Sequence, residues 1–543
     1  MSQPERNALF YAFIVSIGGF IFGLDIMLIS GTFQYTTVEF GLSAIEKGNI
    51  AAAPNYGALL ALLVAGYFCE RFGRKKTLMI IAGLYVVSAI GSAFAPSYFW
   101  LFFARLIGGL AFTSLSLASM YIGEIAPAKM RGKLVGLNQL NIVFGILAAT
   151  ILNYYLVQTV GTQSEWASSI GLNEGNVWRW MLGLEILPAL IWLALLTIIP
   201  ESPRWLMLNN KKQQSLDVIK KLVPAAEVDA EYQQIKQHLN TTEHSLSYIE
   251  QIKCLFSKSM RLALLIGVFM AIIQSLSGMN AILAFMPMIF QQVGGGDSAF
   301  LQSIWVSLIG TVFTVLALVL IDKLGRRKIL LGGLFTCVVS LSLVAYGFFN
   351  AVYLIESSTI EQLALTHPQF NSQLLQPMLD QAFYSDIEFK AAVINLIGQS
   401  QFSLLETDLL LLTTDMPGEL VLLGIITFVC AYNFSLGPIL WILFSEIFPT
   451  KVRAVAITSS ALVATIFGGI IVPTFFPWQI ENLGASLTFF AYAGFCIVGL
   501  AIMAKITPET KGKTIEEIED LISIENDDSP AKHSSIKQAN SFN

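Results

Sequence analysis

Long apolar runs alternate with short polar or charged stretches along nearly the whole chain. The runs cover residues 9–31, 48–69, 77–95, 99–122, 133–156 and 180–199, then 262–290, 300–321, 329–350, 419–444, 454–477 and 485–506. Each approaches or exceeds the length of about 20 residues that an α-helix needs to cross hydrocarbon. Inside a bilayer the backbone must satisfy its own hydrogen bonds, so such runs are helices. The pattern predicts an all-α membrane protein with twelve transmembrane helices. Composition agrees: mean hydropathy is +0.66, and only 13% of the 543 residues are charged.

The two sets of six runs repeat each other. GLD at 23–25 answers to GMN at 278–280, and ERFGRKKTL from Glu70 to DKLGRRKIL from Asp322. GEIAPAKMRG around Glu124 answers to SEIFPTKVRA around Glu446, and PESPR at 200–204 to PETKG at 508–512. Such duplication predicts two pseudo-symmetric six-helix bundles with a site between them near the midplane. The division expected is a bundle at 1–199, a cytoplasmic helical loop at 200–261, a second bundle at 262–506 and a cytoplasmic tail at 507–543. Matched segments drift apart in spacing after the ninth run, which marks 351–418 as an insertion in an outer loop. It holds eight acids against Lys390 alone, and the expectation is a tolerated loop with local helices.

Charge orients the bundle. Of 32 Lys and Arg, only Lys47, Arg179 and Lys390 fall in odd-numbered loops and Arg105 lies within a run. The positive-inside rule then places both termini in the cytoplasm. No cleavable signal pattern opens the chain. None of the five cysteines lies in an outer loop, and neither does an Asn-x-Ser/Thr acceptor, which favours a bacterial inner membrane.

Several chemistries are missing. No phosphate-binding loop is present, because Thr507 stands where the first glycine is required. The four histidines have no metal-ligand spacing. No nucleophile elbow or zinc-hydrolase pattern occurs. Neither an enzyme, a cofactor, a nucleic-acid partner nor an obligate protein partner is expected.

Charge within the apolar runs is costly and points to function. Asp25 lies about six residues below the outer end of the first run, roughly 9 Å at 1.5 Å per residue. Arg105 in the fourth run and Glu185 in the sixth lie at the same depth. A carboxylate facing a guanidinium favours ionisation and burial opposes it, so the balance suits a group that takes up and releases a proton. A static structural pair remains the alternative. Intramembrane amides and hydroxyls form a second set: Gln139 and Asn141, then Gln274, Ser275 and Asn280, with Trp441 beyond Gly437-Pro438. They suit an array of sugar hydroxyls and a ring face, or else helix–helix hydrogen bonding. Repeated charges at the cytoplasmic ends (Glu70, Arg71 and Arg74 with Asp322, Arg326 and Arg327, and Glu124 and Arg131 with Glu446 and Arg453) form a third set, placed to clamp the halves together when the protein opens outward, or else to anchor the helix ends at the cytoplasmic face.

The segments GYFCERFGRKK, RLIGG, MYIGEIAPAKMRGKL, NQLNIVFG, PESPRWLM, QSLSGMN, DKLGRRK, GPILWILFSEIFPTKVRA and PETKGKT resemble the sugar porters of the major facilitator superfamily. The likeness is greatest to bacterial D-xylose/proton symporters and more distant to facilitative glucose transporters. The resemblance implies alternating access by rocking of two bundles. It implies proton coupling at Asp25 with Arg105 and Glu185, and sugar contacts at Phe22, Gln139, Gln274, Asn280 and Trp441. It also assigns Arg74, Glu124, Arg131, Glu201, Arg326, Arg327, Glu446 and Arg453 to an inner salt-bridge network. Departures fall in the sugar site: Ser275 replaces a second glutamine, Ala284 and Phe285 replace paired aromatics, Gly310 replaces an asparagine, and Ala464 and Thr465 replace a polar–tryptophan pair. The reading is therefore an importer of a monosaccharide or polyol driven by protons. A uniporter with a structural Asp25, a proton-coupled transporter of another solute and a non-transporting nutrient sensor stay open.

Overall fold

The computed structural model describes residues 3–518 except 127–130, 163–164, 243–247, 258–259, 294–297, 450–451, 512 and 514–516. The side chains of Arg131 and Asp322 also lie outside the description. Eleven helices among the described residues are long and apolar enough to cross a membrane. They are α1 (Gln3–Leu28), α2 (Ala44–Phe72), α3 (Arg74–Ala93), α4 (Tyr98–Ile125), α5 (Arg131–Gly161), α6 (Val177–Leu195), α7 (Arg261–Ala284), α8 (Ser298–Leu324), α9 (Arg326–Phe349) and α10 (Gly418–Phe444), and then one helical run, Val455–Ile506. That last run is two crossings: Gly484 has φ 79° and ψ 162° inside it. This positive-φ conformation is open to glycine and breaks the helical ladder. The parts before and after it are α11 and α12, so twelve helices stand.

Local sequence explains where helices begin. Ser43 accepts from the Glu46 backbone N–H while Glu46 reaches back to the Ser43 N–H at 2.9 Å, a capping box that starts α2. The α2–α3 turn passes through Gly73 (φ 88°) and its repeat, the α8–α9 turn, through Gly325 (φ 93°). In both turns a distant carboxylate caps the next helix. Glu201 accepts from the N–H groups of Arg74 (2.8 Å) and Lys75; Glu509 accepts from those of Arg326 (2.9 Å) and Arg327. A negative group suits the positive end of a helix. The space is tight as well as polar, since a Cβ on Gly73 would lie 2.3 Å from Glu201 Oε2.

Close backbone approach joins the helices within the first half. A Cβ on Gly23 of α1 would sit 2.1 Å from the Ile142 carbonyl oxygen of α5, and one on Gly145 of α5 would sit 2.1 Å from that of Phe20. Small residues at such seams let two helices meet along their backbones.

The insertion differs from expectation. It is a folded unit with its own core, in which Tyr353 stacks on Phe389 at 5.3 Å and Leu363, Leu375, Val393 and Leu409 are buried. Three short strands, β1 (Val352–Leu354), β2 (Ala382–Phe383) and β3 (Thr414–Asp415), form an antiparallel sheet in the order β2-β1-β3, with Tyr353 opposite Phe383 and Thr414. Strands of two or three residues carry no readable alternation, which is why the pattern did not predict them. Gly398 (φ 80°) divides helices 386–397 and 399–413, so the apolar stretch there is not a further crossing.

The two halves are sealed against each other on the face that bears the insertion. Lys47 of α2 bonds Glu481 of α11 at 3.0 Å, Gln291 donates to Gln34, and Phe33 stacks on Phe285 at 4.8 Å. Phe285 in turn stacks on Phe476. A Cβ on Gly48 would lie 2.0 Å from the Thr474 carbonyl oxygen. The opposite face carries the start of α1, the 200–261 connection and the end of α12.

Candidate functional site

Asp25, Arg105 and Glu185 meet inside the first half, with exposures of 1%, 2% and 3%. The Arg105 guanidinium donates to Asp25 Oδ1 at 2.5 Å, and both of its terminal nitrogens reach the Asp25 main-chain carbonyl at 3.3 Å. Glu185 lies beside the pair, close enough for the charges of Asp25 and Arg105 to act on it. It stands where α6 breaks between Val177–Gly183 and Ile186–Leu195. Three polar atoms stay without a protein partner: Asp25 Oδ2, Arg105 Nε and Glu185 Oε1. One guanidinium thus bonds Asp25 with a second carboxyl beside the pair, with spare proton-accepting capacity, in a place closed to bulk water. The common depth read from the sequence brings all three together. Tyr85 of α3, also fully buried, adjoins both carboxyls and pairs with Ser114 at 3.3 Å. Nothing in the helical pattern singled it out.

The amides and hydroxyls of the second half gather around a π-helical turn in α11, Thr465–Ile471. Widened turns of this kind leave carbonyls free for other partners and recur at functional sites. Asn280 donates to the Gly468 carbonyl at 2.8 Å and Ser275 to that of Ala464 at 3.2 Å. Gln274 donates to the Tyr432 hydroxyl on α10. Across the seam, Asn55 of α2 lies against Gly469, whose Cβ would be 2.4 Å from Asn55 Oδ1. Gln139 and Trp441 are exposed, and the Phe22 ring packs edge-on against Phe112 at 4.5 Å. Asn141 donates to Ser16 of α1 at 2.7 Å, the helix–helix use of an intramembrane amide. Phe285 is held in the aromatic seal above the site, and Gly310 faces Asn433 of α10.

Among the described residues, the repeated charges form ion pairs inside each half. Arg74 holds Glu124 at 2.9 Å, and Arg326 holds Glu446 at 3.0 Å. Hydroxyls duplicate the same arrangement, Ser202 donating to Glu124 and Thr510 to Glu446. Arg327 donates to the Ala504 carbonyl, and Arg453 to that of Phe448. Each network clips the α2–α3 or α8–α9 turn to the end of its own bundle. The clamp between halves is expected of a protein open outward, whereas this one is sealed on the insertion face, and the pairs within each half stand beside that expectation. A carboxylate duplicated with its arginine can close its pair locally, and nothing in one-dimensional spacing distinguishes that from a cross-half bond.

Besides Tyr85, three groups lie beyond what the sequence pattern singles out. The pattern places Lys47 in a loop, yet it is buried in the first turn of α2 and bonded across the seam. Asn433 is an amide in an otherwise apolar run, a signal that was available. Asn55 was hidden beside Pro54 in a run that reads as bilayer core.

Comparison with known proteins follows the geometry. A family model described as "Sugar (and other) transporter" matches residues 11–366 and 395–522. The chain is similar to the arabinose-proton symporter of Bacillus subtilis, with 33% identity over 513 residues and 93% of each chain covered. It is similar to the D-xylose-proton symporter of Escherichia coli, with 29% identity over 544 residues and 94% of each covered. Among solved structures it is similar to the inward-open conformation of the E. coli xylose transporter XylE, with TM-score 0.69, 28% identity, and 94% of this chain and 98% of that chain covered. Relatives on this scale are transporters and not enzymes. With its twelve helices in two repeated bundles, the chain belongs to the sugar (and other) transporter family, the sugar porters of the major facilitator superfamily.

Proposed function

We propose that this protein imports a monosaccharide or polyol together with protons, by alternating access between bundles 1–199 and 262–506. The observation that carries the reading is the buried Asp25–Arg105 bond at 2.5 Å with Glu185 beside it. Two carboxyls facing one guanidinium balance in charge when they share one proton, and a low-dielectric site strongly penalises the unbalanced state. Protonation of Asp25 weakens its hold on Arg105 and frees α1 and α4 to shift against each other. Glu185 passes the proton on.

The positive-inside bias makes the face with the chain ends cytoplasmic, in a bacterial inner membrane. The seal on the insertion face then corresponds to a state closed outside, in keeping with the likeness to an inward-open relative. Phe22, Gln139, Gln274, Ser275, Asn280 and Trp441 form the substrate site. The clips at Arg74, Glu124 and Glu201 and at Arg326, Arg327, Glu446 and Glu509 keep each bundle rigid as it rocks. Arg453 adds to the second clip through the Phe448 carbonyl, and the side chain of Arg131 lies outside the described residues.

Proteoliposomes with a trapped pH dye test this directly, challenged with pentoses, hexoses and inositols. Lumenal acidification in wild type by one compound, with Asp25→Asn exchanging that compound silently, is the result expected. Passage without acidification in either protein leaves a facilitator with a structural Asp25. A panel on which nothing moves puts the substrate outside the sugars.

A further inference from the structure

The folded insertion is mounted where the second half meets the first on the sealed face. β1 follows α9 and β3 precedes α10, and the two pair with Val352 opposite Asp415, so the body between them is anchored at both ends. Its helices then reach the two elements that carry the seal. Helix 399–413 packs on the short helix Met286–Gln292, which continues α7 outward and whose Gln291 bonds Gln34 of the first half. Helix 386–397 starts against the turn between α11 and α12, where a Cβ on Gly484 would stand 2.8 Å from Asp386 Oδ1. Glu481, the partner of Lys47, lies in the last turn before that glycine.

Both elements are jointed beneath these attachments. The path of α7 is interrupted at Gly278 (φ 85°) and again at Phe285, which leaves Met279–Ala284 and Met286–Gln292 as separate short helices. α11 carries the π-helical turn Thr465–Ile471, followed by Pro473 and Pro477. Helices bend where such breaks interrupt the backbone ladder. The insertion ties the two jointed ends to each other, by charge as well as by packing. Lys390 of helix 386–397 holds Glu406 of helix 399–413 at 3.0 Å. The seam pair is near enough to act on this one, Lys47 on Glu406 and Glu481 on Lys390. Two cations and two carboxylates, drawn from α2, α11 and both insertion helices, thus gather in one group.

We propose that the insertion is a strap that fastens the outer ends of α7 and α11 in their sealed positions and so sets how readily the outer face opens. With the strap in place, the contacts of Phe285, Gln291 and Glu481 close as one unit. Without it each jointed end swings alone, and the seal opens at a lower cost. The inference rests on the opening and closing that the transport reading requires, and adds a control element outside the two bundles.

The reactivity of a thiol placed in the seal measures opening without substrate or protons. Thr474 of α11 is 7% exposed and stands against Gly48, so Thr474→Cys meets a membrane-impermeant thiol reagent from outside only when the seam parts. Because β1 and β3 are already paired, residues 355–412 are replaceable by Asn-Gly, which closes a two-residue hairpin. One exposed tie shifts a population by up to about fivefold, and the deletion removes several, so labelling rises about tenfold or more. Lys390→Met with Glu406→Gln, which keeps the net charge, raises it about fivefold and carries the test should the deletion not fold. The buried Cys337 and Cys496 stay unreactive throughout. Unchanged labelling in the folded deletion, or in the double variant where that stands alone, overturns the strap. A rise shared by Cys337 and Cys496 marks loss of the second bundle's fold and overturns it too. Solute flux, read separately in proteoliposomes, keeps the two ideas apart. Flux with unchanged labelling leaves transport standing without the strap, and raised labelling without flux leaves the strap and overturns the transport reading.

Discussion

Lys47 of α2 and Glu481 at the end of α11 meet at 3.0 Å across the seam between the two halves, beside the folded insertion. Lys47 is nearly buried, whereas Glu481 keeps 41% of its side chain exposed. The pair belongs to the closed state of that face, where the Gln34–Gln291 bond and the Phe33–Phe285 stack also lie.

Breaking that pair favours opening on the insertion face. A half-exposed pair contributes up to about 1 kcal/mol, or roughly a fivefold change in population. Cysteines at positions 34 and 291 report closure by their cross-linking rate. Lys47→Met slows that rate about fivefold, and the charge swap Lys47→Glu with Glu481→Lys restores it. An unchanged rate removes the pair from control of closure.

Arg105 is needed more than the charge on Asp25. Arg105→Ala leaves two carboxyls buried without a cation, a loss of about 3–5 kcal/mol. Asp25→Asn keeps the main-chain carbonyl to which both terminal nitrogens of Arg105 donate. Thermal inactivation in detergent therefore ranks Arg105→Ala well below Asp25→Asn, and Arg105→Met combined with Asp25→Asn recovers part of the loss. Equal losses for the two single variants contradict this account.

The α1–α5 contact tolerates no added side chain. Gly145→Val pushes into the Phe20 carbonyl, 2.1 Å from where a Cβ would stand, and overpacking of this kind costs about 1–3 kcal/mol or more. Gly136 on the same helix has nothing within 4 Å of its Cβ position. Gly136→Ala leaves the melting temperature within a degree or two, while Gly145→Val lowers it or abolishes folded yield.

The insertion is tied by Lys390 and Glu406 at 3.0 Å. Burial works to raise the Glu406 pKa, but Lys390 outweighs it and holds the carboxyl below its ordinary value. Burial likewise works to lower the Lys390 pKa, and Glu406 with Asp386 outweighs it, so the ammonium sits above its ordinary value. The Glu406 contribution is present above about pH 4.3 and is lost as pH falls through its lower folded value. That of Lys390 is present below about pH 10.4 and is lost only above its raised folded value. Asp386, raised by burial, has the opposite sign and costs stability once pH rises past its ordinary range. The tie is accordingly flat through neutrality. Glu406→Gln at pH 7 loses about 1–2 kcal/mol, discounted because Glu406 is a third exposed. Amide exchange across 386–413 then quickens about tenfold, and in wild type the same quickening is confined to strong acid.

Much of the architecture was legible in order along the chain. Twelve crossings follow from run length, because the bilayer sets the length of each helix and forbids other backbone forms. The Gly73 and Gly325 turns and the segments that carry Glu201 and Glu509 are legible as repeats; that the two carboxylates cap the helices after those turns is decided by the fold. Asp25, Arg105 and Glu185 could be placed at one depth because rise per residue is constant.

Rotation about each helix axis and the identity of the facing helix are set by packing, and sequence spacing carries neither. For that reason only the tertiary structure decided that Arg74 closes on Glu124 inside its own half, that Lys47 crosses the seam to a carboxylate distant in sequence, and that Gly310 faces Asn433. The same holds for the insertion, whose core is built from strands too short to leave a pattern. The sequence by itself determined how deep each charge lies; the fold determined which neighbour it finds there.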